Sequence, residues 1–178
     1  MKILRAPDPI LAQPSLKIDD PTNSDLTNLA DEMIEIMYST NGCGLAAPQI
    51  GRNIRMLVID CDQENGDKNP LVVLNPEITA FSDETNDDRE GCLSVPGIIV
   101  KLPRATEIEL TWTDLEGQDH SSSFSDLWAR CFQHEIDHLN GLTMLDRVSG
   151  IRRIQVLGAY RKALEKGAVP GSDPFYVV

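Results

Sequence analysis

The sequence predicts an α+β protein in which mainly antiparallel β-sheets surround a central helix, with one further helix near the N-terminus and another near the C-terminus. The predicted elements run in the order helix, several strands, helix and helix. Strands and helices do not alternate, as they would in a parallel sheet with crossover helices. The length of 178 residues with 41% hydrophobic residues suits one domain, so we expect residues 1–178 to form it.

The helices are predicted from their caps and from apolar residues at helical spacing. Asn23 or Ser24 can cap the first helix, and Ser125 or Asp126 can cap the second. Asn140-Gly141 is a typical stop signal for the second. The predicted helices run from about 25 to 40, from about 126 to 140 and from about 151 to 166.

The strands are predicted between the first and second helices. Ile108, Leu110 and Trp112 alternate with polar residues, which is typical of a half-buried strand over 107–113. Residues 82–90 are polar and acidic, and we expect an exposed loop there. The other predicted segments are strands at 55–59, 71–74 and 98–102, an extended piece at 77–81, a polar strand ending near 124, a small-residue strand or loop at 42–51, and an acidic loop at 60–70.

The composition argues against several classes of protein. The formal net charge of −12 disfavours general binding to phosphate backbones, so we expect no specific nucleic-acid recognition. The longest apolar runs span only a few residues, whereas a membrane-spanning helix needs about 20. Charge and proline interrupt residues 1–8 before a signal-peptide core could form. We therefore expect a bacterial cytoplasmic protein that does not bind a membrane; the alternative is an organellar form from which a transit peptide has been removed.

The segment His134-Glu135-Ile136-Asp137-His138 carries the sharpest chemical signal. Histidines at positions i and i+4 lie on one face of a helix, close enough to share a metal ion. Glu135 is rotated away from that face, which suits a base that takes a proton from water held by the ion. The alternative is two histidines that share a helix face and bind no metal.

A catalytic site of this kind normally has three protein ligands and one position for water. Cys92 is one candidate for the third ligand, since a thiolate and two imidazoles suit a first-row metal, although Cys92 is equally compatible with a buried inert thiol. The other candidates are His120, Asp146 and Glu165. Two rival hypotheses follow: a zinc endopeptidase that uses His134 and His138 with a downstream acidic ligand, and a structural metal site without catalysis.

Three segments, in this order, resemble the motifs of the peptide deformylase family. Residues 42–49 (GCGLAAPQ) resemble its first motif, Gly-x-Gly-Leu-Ala-Ala-x-Gln. Residues 90–94 (EGCLS) match its second motif, and residues 133–138 (QHEIDH) match its third, Gln-His-Glu-x-Asp-His. The separations agree as well, and the resemblance extends over most of the chain.

The resemblance implies a metal-dependent amide hydrolase that releases formate from N-formyl-methionyl nascent peptides. Cys92, His134 and His138 would hold one divalent ion, Fe²⁺ in cells, with Zn²⁺, Ni²⁺ or Co²⁺ as substitutes. Water bound to the ion would be the nucleophile, and Glu135 the general base and then the acid. The Gln49 side chain and the Leu93 backbone N–H would stabilise the oxyanion, together with the ion.

The resemblance also implies a substrate that binds as an added strand. Its backbone would lie against Cys43 and Gly44 on one side and Gly91 on the other. The methionine pocket would be lined by Cys43, Leu127, Cys131 and the aliphatic part of Glu90. For Leu127 and Cys131, plain core packing is an equally good hypothesis.

The third predicted helix is basic in an acidic chain. Residues 147–166 contain six Arg or Lys residues and one acidic residue. Ile151, Ile154, Leu157 and Leu164 supply an apolar stripe. The charge pattern fits a solvated helix docked on the domain. The alternative, which the resemblance suggests for some members, is contact with the ribosome near the exit of the nascent chain.

Overall fold

The computed structural model describes residues 1–62 and 68–178. In these ranges it contains three α-helices and eight β-strands, in the predicted α+β arrangement. None of the described helices is long and apolar enough to cross a lipid bilayer. The helices are α1 (Ser24–Ser39), α2 (Asp126–Leu139) and α3 (Gly150–Glu165). The strands are β1 (Gly44–Ala46), β2 (Met56–Ile59), β3 (Leu71–Phe81), β4 (Thr85–Gly91), β5 (Ile98–Ala105), β6 (Glu107–Thr113), β7 (Asp119–Ser125) and β8 (Tyr176–Val177).

The strands form two sheets. The first has the order β1-β2-β3-β6-β7 and is antiparallel throughout. The second has the order β4-β5-β8, with β4 antiparallel and β8 parallel to β5. In β6 the predicted alternation is confirmed, because Ile108, Leu110 and Trp112 are buried while Glu107 and Glu109 are exposed.

Helices α1 and α2 begin where predicted, and the predicted capping hydrogen bond is present in α1 only. The Asn23 side chain accepts a hydrogen bond of 3.0 Å from the backbone N–H of Asp25 at the start of α1. Ser125 precedes α2, although its side chain makes no capping hydrogen bond. Gly141 follows α2 with φ +75°, a left-handed conformation that ends the helix and favours glycine.

The prediction of an exposed loop at 82–90 is wrong, because Thr85–Gly91 forms strand β4. This strand pairs with β5 along its whole length, from Thr85 opposite Ala105 to Gly91 opposite Ile99. Only Glu90 on β4 is buried, so the sequence has no apolar alternation to mark a strand. Backbone pairing with β5 therefore determines the conformation.

The two segments predicted at 71–74 and 77–81 are one strand, β3. It continues through Asn75-Pro76 with a register shift between Leu74 and Glu77, and Asn75 has φ +50°. The turn residues thus produce an irregularity within the strand and do not end it. The acidic loop predicted over 60–70 includes 63–67, which lie outside the described residues.

Helix α2 lies at the centre of the protein, as predicted. Every residue from Ala129 to Leu139 is buried. One face of the first sheet packs on α2 and the other on α1, while the second sheet packs on α3. Helix α2 therefore contacts the first sheet and strand β5 of the second sheet, which suits a site that needs fixed geometry.

Helix α3 docks through a face that includes Leu164 of the predicted apolar stripe but not Ile151 or Ile154. Val156, Tyr160 and Ala163 are buried, whereas Ile151 is 77% and Ile154 72% exposed. Two apolar faces compete in this sequence, and the spacing alone does not show which one packs. The Tyr160 hydroxyl also donates a hydrogen bond of 2.9 Å to the Ala6 carbonyl, which favours the observed face.

Candidate active site

The structure brings Cys92 to the two helix histidines. His134 and His138 lie one turn apart on α2, with ring centroids 5.1 Å apart. Cys92 directly follows β4, and its Sγ lies 3.3 Å from Nε2 of His138. The potential ligand atoms of these three residues all lie within 4.8 Å of one another. Of the four candidates for the third ligand, Cys92 is the one in this group.

The other candidates have different surroundings. His120 is exposed on β7, and its Nε2 lies 2.6 Å from a carboxylate oxygen of Asp114. Asp146 accepts hydrogen bonds from the backbone N–H and the hydroxyl of Thr143. Glu165 is exposed at the last residue of α3. Among the described residues, none of these three candidates joins the metal-ligand group.

Glu90 orients His134 through the ring nitrogen that faces away from the metal-ligand group. Its Oε2 lies 3.0 Å from Nδ1 of His134, which leaves Nε2 for an ion. The carboxylate also accepts hydrogen bonds from Arg104 and Arg130, at 2.6–3.0 Å. Burial alone would raise the pKa of Glu90, but the hydrogen bonds from His134 and Arg104 lower it to about 2.

The buried ion pairs extend behind the metal-ligand group to Asp137. Arg104 donates a hydrogen bond of 2.7 Å to Asp137, and Arg147 pairs with the same carboxylate. Gln133 holds α2 to the end of β5 by exchanging two hydrogen bonds with the Ala105 backbone. Arg104, Arg130 and Arg147 are site residues that the sequence does not predict. The signal available was Asp137, a carboxylate on the buried face of a motif helix that requires cationic partners.

The donor set fits a divalent first-row metal ion. One thiol and two imidazoles provide soft and borderline ligands, and three protein ligands leave a position for water, as in catalytic zinc sites. Burial lowers the pKa of His138 well below its ordinary value, which keeps this imidazole in the neutral form that metal binding requires.

Glu135 lies beside the metal-ligand group. Its side chain is buried, and Oε2 has no hydrogen-bond partner among the described residues. Burial raises the pKa of Glu135 to about 7, with His134 acting in the opposite direction. A carboxyl group whose pKa lies near neutrality can both accept and return a proton.

The absence of a side chain at Gly44 leaves room for the side chain of Glu135. A methyl group placed on Gly44 would lie 2.7 Å from Oε1 of Glu135 and 2.9 Å from Sγ of Cys131. Both distances are too short for real contacts, so β1 can approach α2 this closely only with glycine at this position.

Gln49 points its amide nitrogen toward the metal-ligand group. Its Oε1 accepts a hydrogen bond of 2.7 Å from the backbone N–H of Ala46, which fixes the side chain. Its Nε2 lies 3.3 Å from Oγ of Ser94 and 3.9 Å from Sγ of Cys92. Leu93 lies between Cys92 and Ser94 in the chain, so its backbone is close to the amide nitrogen of Gln49.

An open cleft of about 390 Å³ contains the site. All the predicted site residues except His138 line it. Leu127 is 51% exposed on the cleft wall, so plain core packing is wrong for Leu127, whereas Cys131 is buried and also faces the cleft. A larger cleft of about 1170 Å³ borders α2 on the side of Asp137 and Arg147, and neither Cys92 nor Glu135 lines it.

We predict that replacing Glu90 by glutamine weakens both folding and metal binding. The change leaves Arg104 and Arg130 buried without their carboxylate, which is expected to lower the free energy of unfolding by about 3–5 kcal/mol. Loss of the partner of His134 is expected to weaken metal affinity about 10–100-fold. Denaturant unfolding and chelator competition measure these effects. Asp87→Asn, an exposed position on the same strand, is the control, and equal behaviour of both variants would contradict the prediction.

Comparison with known proteins agrees with this geometry. A family model described as polypeptide deformylase matches residues 1–153. The peptide deformylase of Bartonella quintana is 45% identical over 163 residues, which cover 91% of this chain and 92% of the relative. That of Synechocystis sp. is 46% identical over 141 residues, covering 79% and 75%.

Solved structures agree with the fold as well. Peptide deformylase 1B of Arabidopsis thaliana superimposes with a TM-score of 0.82 at 40% identity, covering 93% of this chain and 89% of that chain. Peptide deformylase from Plasmodium falciparum gives a TM-score of 0.85 at 31% identity, covering 93% and 96%. With its sequence, fold and Cys-His-His group in agreement, the chain belongs to the polypeptide deformylase family.

Proposed function

We propose that this chain removes the formyl group from N-formyl-methionyl nascent peptides and releases formate and a peptide with a free N-terminus. Peptide deformylase activity follows from membership of the family. The roles of individual residues, the native metal and the cellular partners are our proposals. The observation that carries them is the Cys92-His134-His138 group beside the buried Glu135 at one cleft.

Cys92, His134 and His138 would hold the ion. When bound, it supplies a Lewis acid that lowers the pKa of a water molecule and polarises the formyl oxygen. We propose Fe²⁺ as the native ion, with Zn²⁺, Ni²⁺ or Co²⁺ as substitutes. One thiolate and two imidazoles can accept each of these metals, so metal availability decides among them in the cell.

Glu135 moves the proton. Its Oε2, which has no hydrogen-bond partner within residues 1–62 and 68–178, accepts a proton from the attacking water and then donates it to the amine nitrogen as the C–N bond of the formamide breaks. The Nε2 of Gln49 and the backbone N–H of Leu93 donate hydrogen bonds to the formyl oxygen as it gains negative charge. The fixed Gln49 side chain supports this role, since such donors work best when they need not reorganise.

The substrate backbone lies along the cleft between the chain at Cys43-Gly44 and Gly91. A methyl group placed on Gly91 would meet no atom within 4 Å, so this side of β4 is open. Pairing with backbone groups provides affinity without selecting most side chains. Cys43, Leu127, Cys131 and the aliphatic part of Glu90 surround the methionine side chain.

Formate release from formyl-Met-Ala-Ser tests the proposed function. We expect metal-dependent release of one formate per peptide, without cleavage of internal peptide bonds. Cys92→Ala should abolish metal binding and activity, since it removes one of three ligands. The rival hypothesis of a zinc endopeptidase with an acidic third ligand predicts instead that Cys92→Ala has little effect and that internal bonds are cut.

We infer a cytoplasmic setting and a single catalytic domain over residues 1–178. All four cysteines are free thiols, and a thiolate ligand is best preserved in a reducing compartment. Strand β8 pairs with β5, and α3 covers the same sheet, so the C-terminal elements belong to the same domain as the site.

We propose that the exposed side of α3 contacts the ribosome. Arg161 and Lys162 are exposed there, as are Ile151 and Ile154, whereas Arg147 and Arg153 are engaged in ion pairs with the domain. Exposed cations beside apolar residues suit a surface that meets anionic RNA and protein. This contact would not require recognition of a nucleotide sequence.

We predict that the double change Arg161→Glu and Lys162→Glu weakens co-sedimentation with ribosomes about tenfold at low ionic strength, because both charges are reversed. Activity on the free tripeptide should not change. The double change Lys2→Glu and Lys17→Glu reverses two exposed charges elsewhere and serves as the control. Equal co-sedimentation of both double variants would rule out α3 as the contact. Point changes are used because truncation would remove buried Val156 and Tyr160.

A further inference from the structure

A second group of soft ligands, which we call the thiol cluster, consists of Cys43, Cys61 and Cys131. Cys43 precedes β1 and Cys61 follows β2 by two residues. These strands are antiparallel neighbours with Gly44 opposite Ile59, so both cysteines lie at the same end of the pair. The backbone N–H of residue 60 donates a hydrogen bond of 2.9 Å to the Cys43 carbonyl and extends this pairing by one step.

Helix α2 adds the third sulfur. Sγ of Cys131 lies 3.5 Å from Sγ of Cys43, and all three sulfurs lie within 4.8 Å of one another. Sulfurs bound to one ion at about 2.3 Å lie roughly 4 Å apart, so only a small adjustment would bring these three to one ion. Sequence spacing does not reveal this group, because its members are 18 and 70 residues apart along the chain.

We propose that the thiol cluster is a second metal site, for a thiophilic d¹⁰ cation such as Cu⁺, Zn²⁺ or Cd²⁺. Thiolates select such ions over harder ones such as Mg²⁺ and Ca²⁺. The proposed hydrolysis uses none of these three thiols as a catalytic group. Hydrogen bonds from Cys131 and Cys61 lower the pKa of Cys43, whereas the pKa values of Cys61 and Cys131 are raised, so the thiol cluster carries one thiolate and an ion must displace the protons of the other two thiols.

An ion can reach the thiol cluster from solvent. Cys43 and Cys131 line the open cleft, and Cys61 is only partly buried. Cys43 and Cys131 are also the residues that we place in the methionine pocket, so this consequence rests on the proposed function. An ion bound by the three sulfurs would reduce that pocket and raise the KM for formyl-Met peptides.

Cadmium titration of the nickel-loaded enzyme tests the site. After anaerobic incubation with Cd²⁺ and gel filtration, we expect one cadmium per chain in addition to the original nickel, with ultraviolet thiolate-to-cadmium charge-transfer absorption. In Cys61→Ser and Cys61→Ala we expect nickel to be retained and cadmium to be lost. Two substitutions of different polarity guard against an effect of one side chain on folding.

Three outcomes would overturn the proposal: no cadmium in the wild type, equal cadmium in the Cys61 variants, or cadmium that replaces nickel one for one. The effect on the pocket is tested separately with formyl-Met-Ala-Ser. Cadmium should raise KM at least tenfold in the wild type and leave the Cys61→Ser value unchanged. A wild-type KM that is the same with and without cadmium would refute the pocket effect. Absence of formate release from every protein before cadmium is added would instead refute the proposed function.

Discussion

Replacing Glu135 by alanine is expected to lower kcat/KM for formate release about 10²–10⁴-fold, the usual contribution of a general acid–base group. The metal content should stay at one ion per chain, because Glu135 lies outside the Cys92-His134-His138 group. The loss of activity is expected from the position of Glu135 in the site. The side chain is buried beside the metal-ligand group and keeps an oxygen without a hydrogen-bond partner among the described residues.

Steady-state formate release and metal analysis on the same samples measure this result. Glu135→Gln is the matched variant, because it keeps the size of the side chain but cannot accept the proton. We expect it to lose activity as strongly as the alanine variant. Activity close to wild type in either variant would show that Glu135 is not the base. Loss of the ion along with activity would show that Glu135 acts on metal binding.

Replacing Gly44 by alanine is expected to lower kcat/KM about 100-fold, the usual effect of a misplacement of about 1 Å near the reacting atoms. The added methyl group would lie 2.7 Å from Oε1 and 2.8 Å from Cγ of Glu135, and 2.9 Å from Sγ of Cys131. Since α2 is buried between the sheets, Glu135 must turn away from its position or β1 must move.

The control for this change is Gly158→Ala on α3, where an added methyl group would meet no atom within 4 Å. This variant should keep full activity and be no less stable, because alanine favours a helix over glycine. Metal content should be unchanged in both variants. If Gly44→Ala keeps wild-type activity, the close approach of β1 to α2 is not needed for catalysis.

Much of the fold could be predicted because local patterns and tertiary packing agree. The alternation in β6 and the Asn23 cap of α1 each have a local physical cause that the sequence displays. Strand β4 could not be predicted, since it is polar on both faces and depends on pairing with β5. The docked face of α3 also depends on contacts that are distant in sequence.

The residues of the candidate site likewise fall into those that a local motif identifies and those that depend on tertiary packing. The spacing of His134, Glu135 and His138 along one helix determines their relative positions, so a local motif is enough to identify them. Cys92 was one of several candidates from its residue type, and the family resemblance selected it. Arg104 and Arg130 could not be found, because Glu90 meets them only after β4, β5 and α2 have packed together.

The central claim is that Cys92, His134 and His138 bind one ion. Anomalous diffraction at the absorption edge of the metal, from crystals of the loaded enzyme, tests it most directly. We expect a peak within bonding distance of Sγ of Cys92 and of one nitrogen of each histidine. A peak bonded to the two imidazoles with an acidic side chain in place of Cys92, or no peak at this group, would contradict the account.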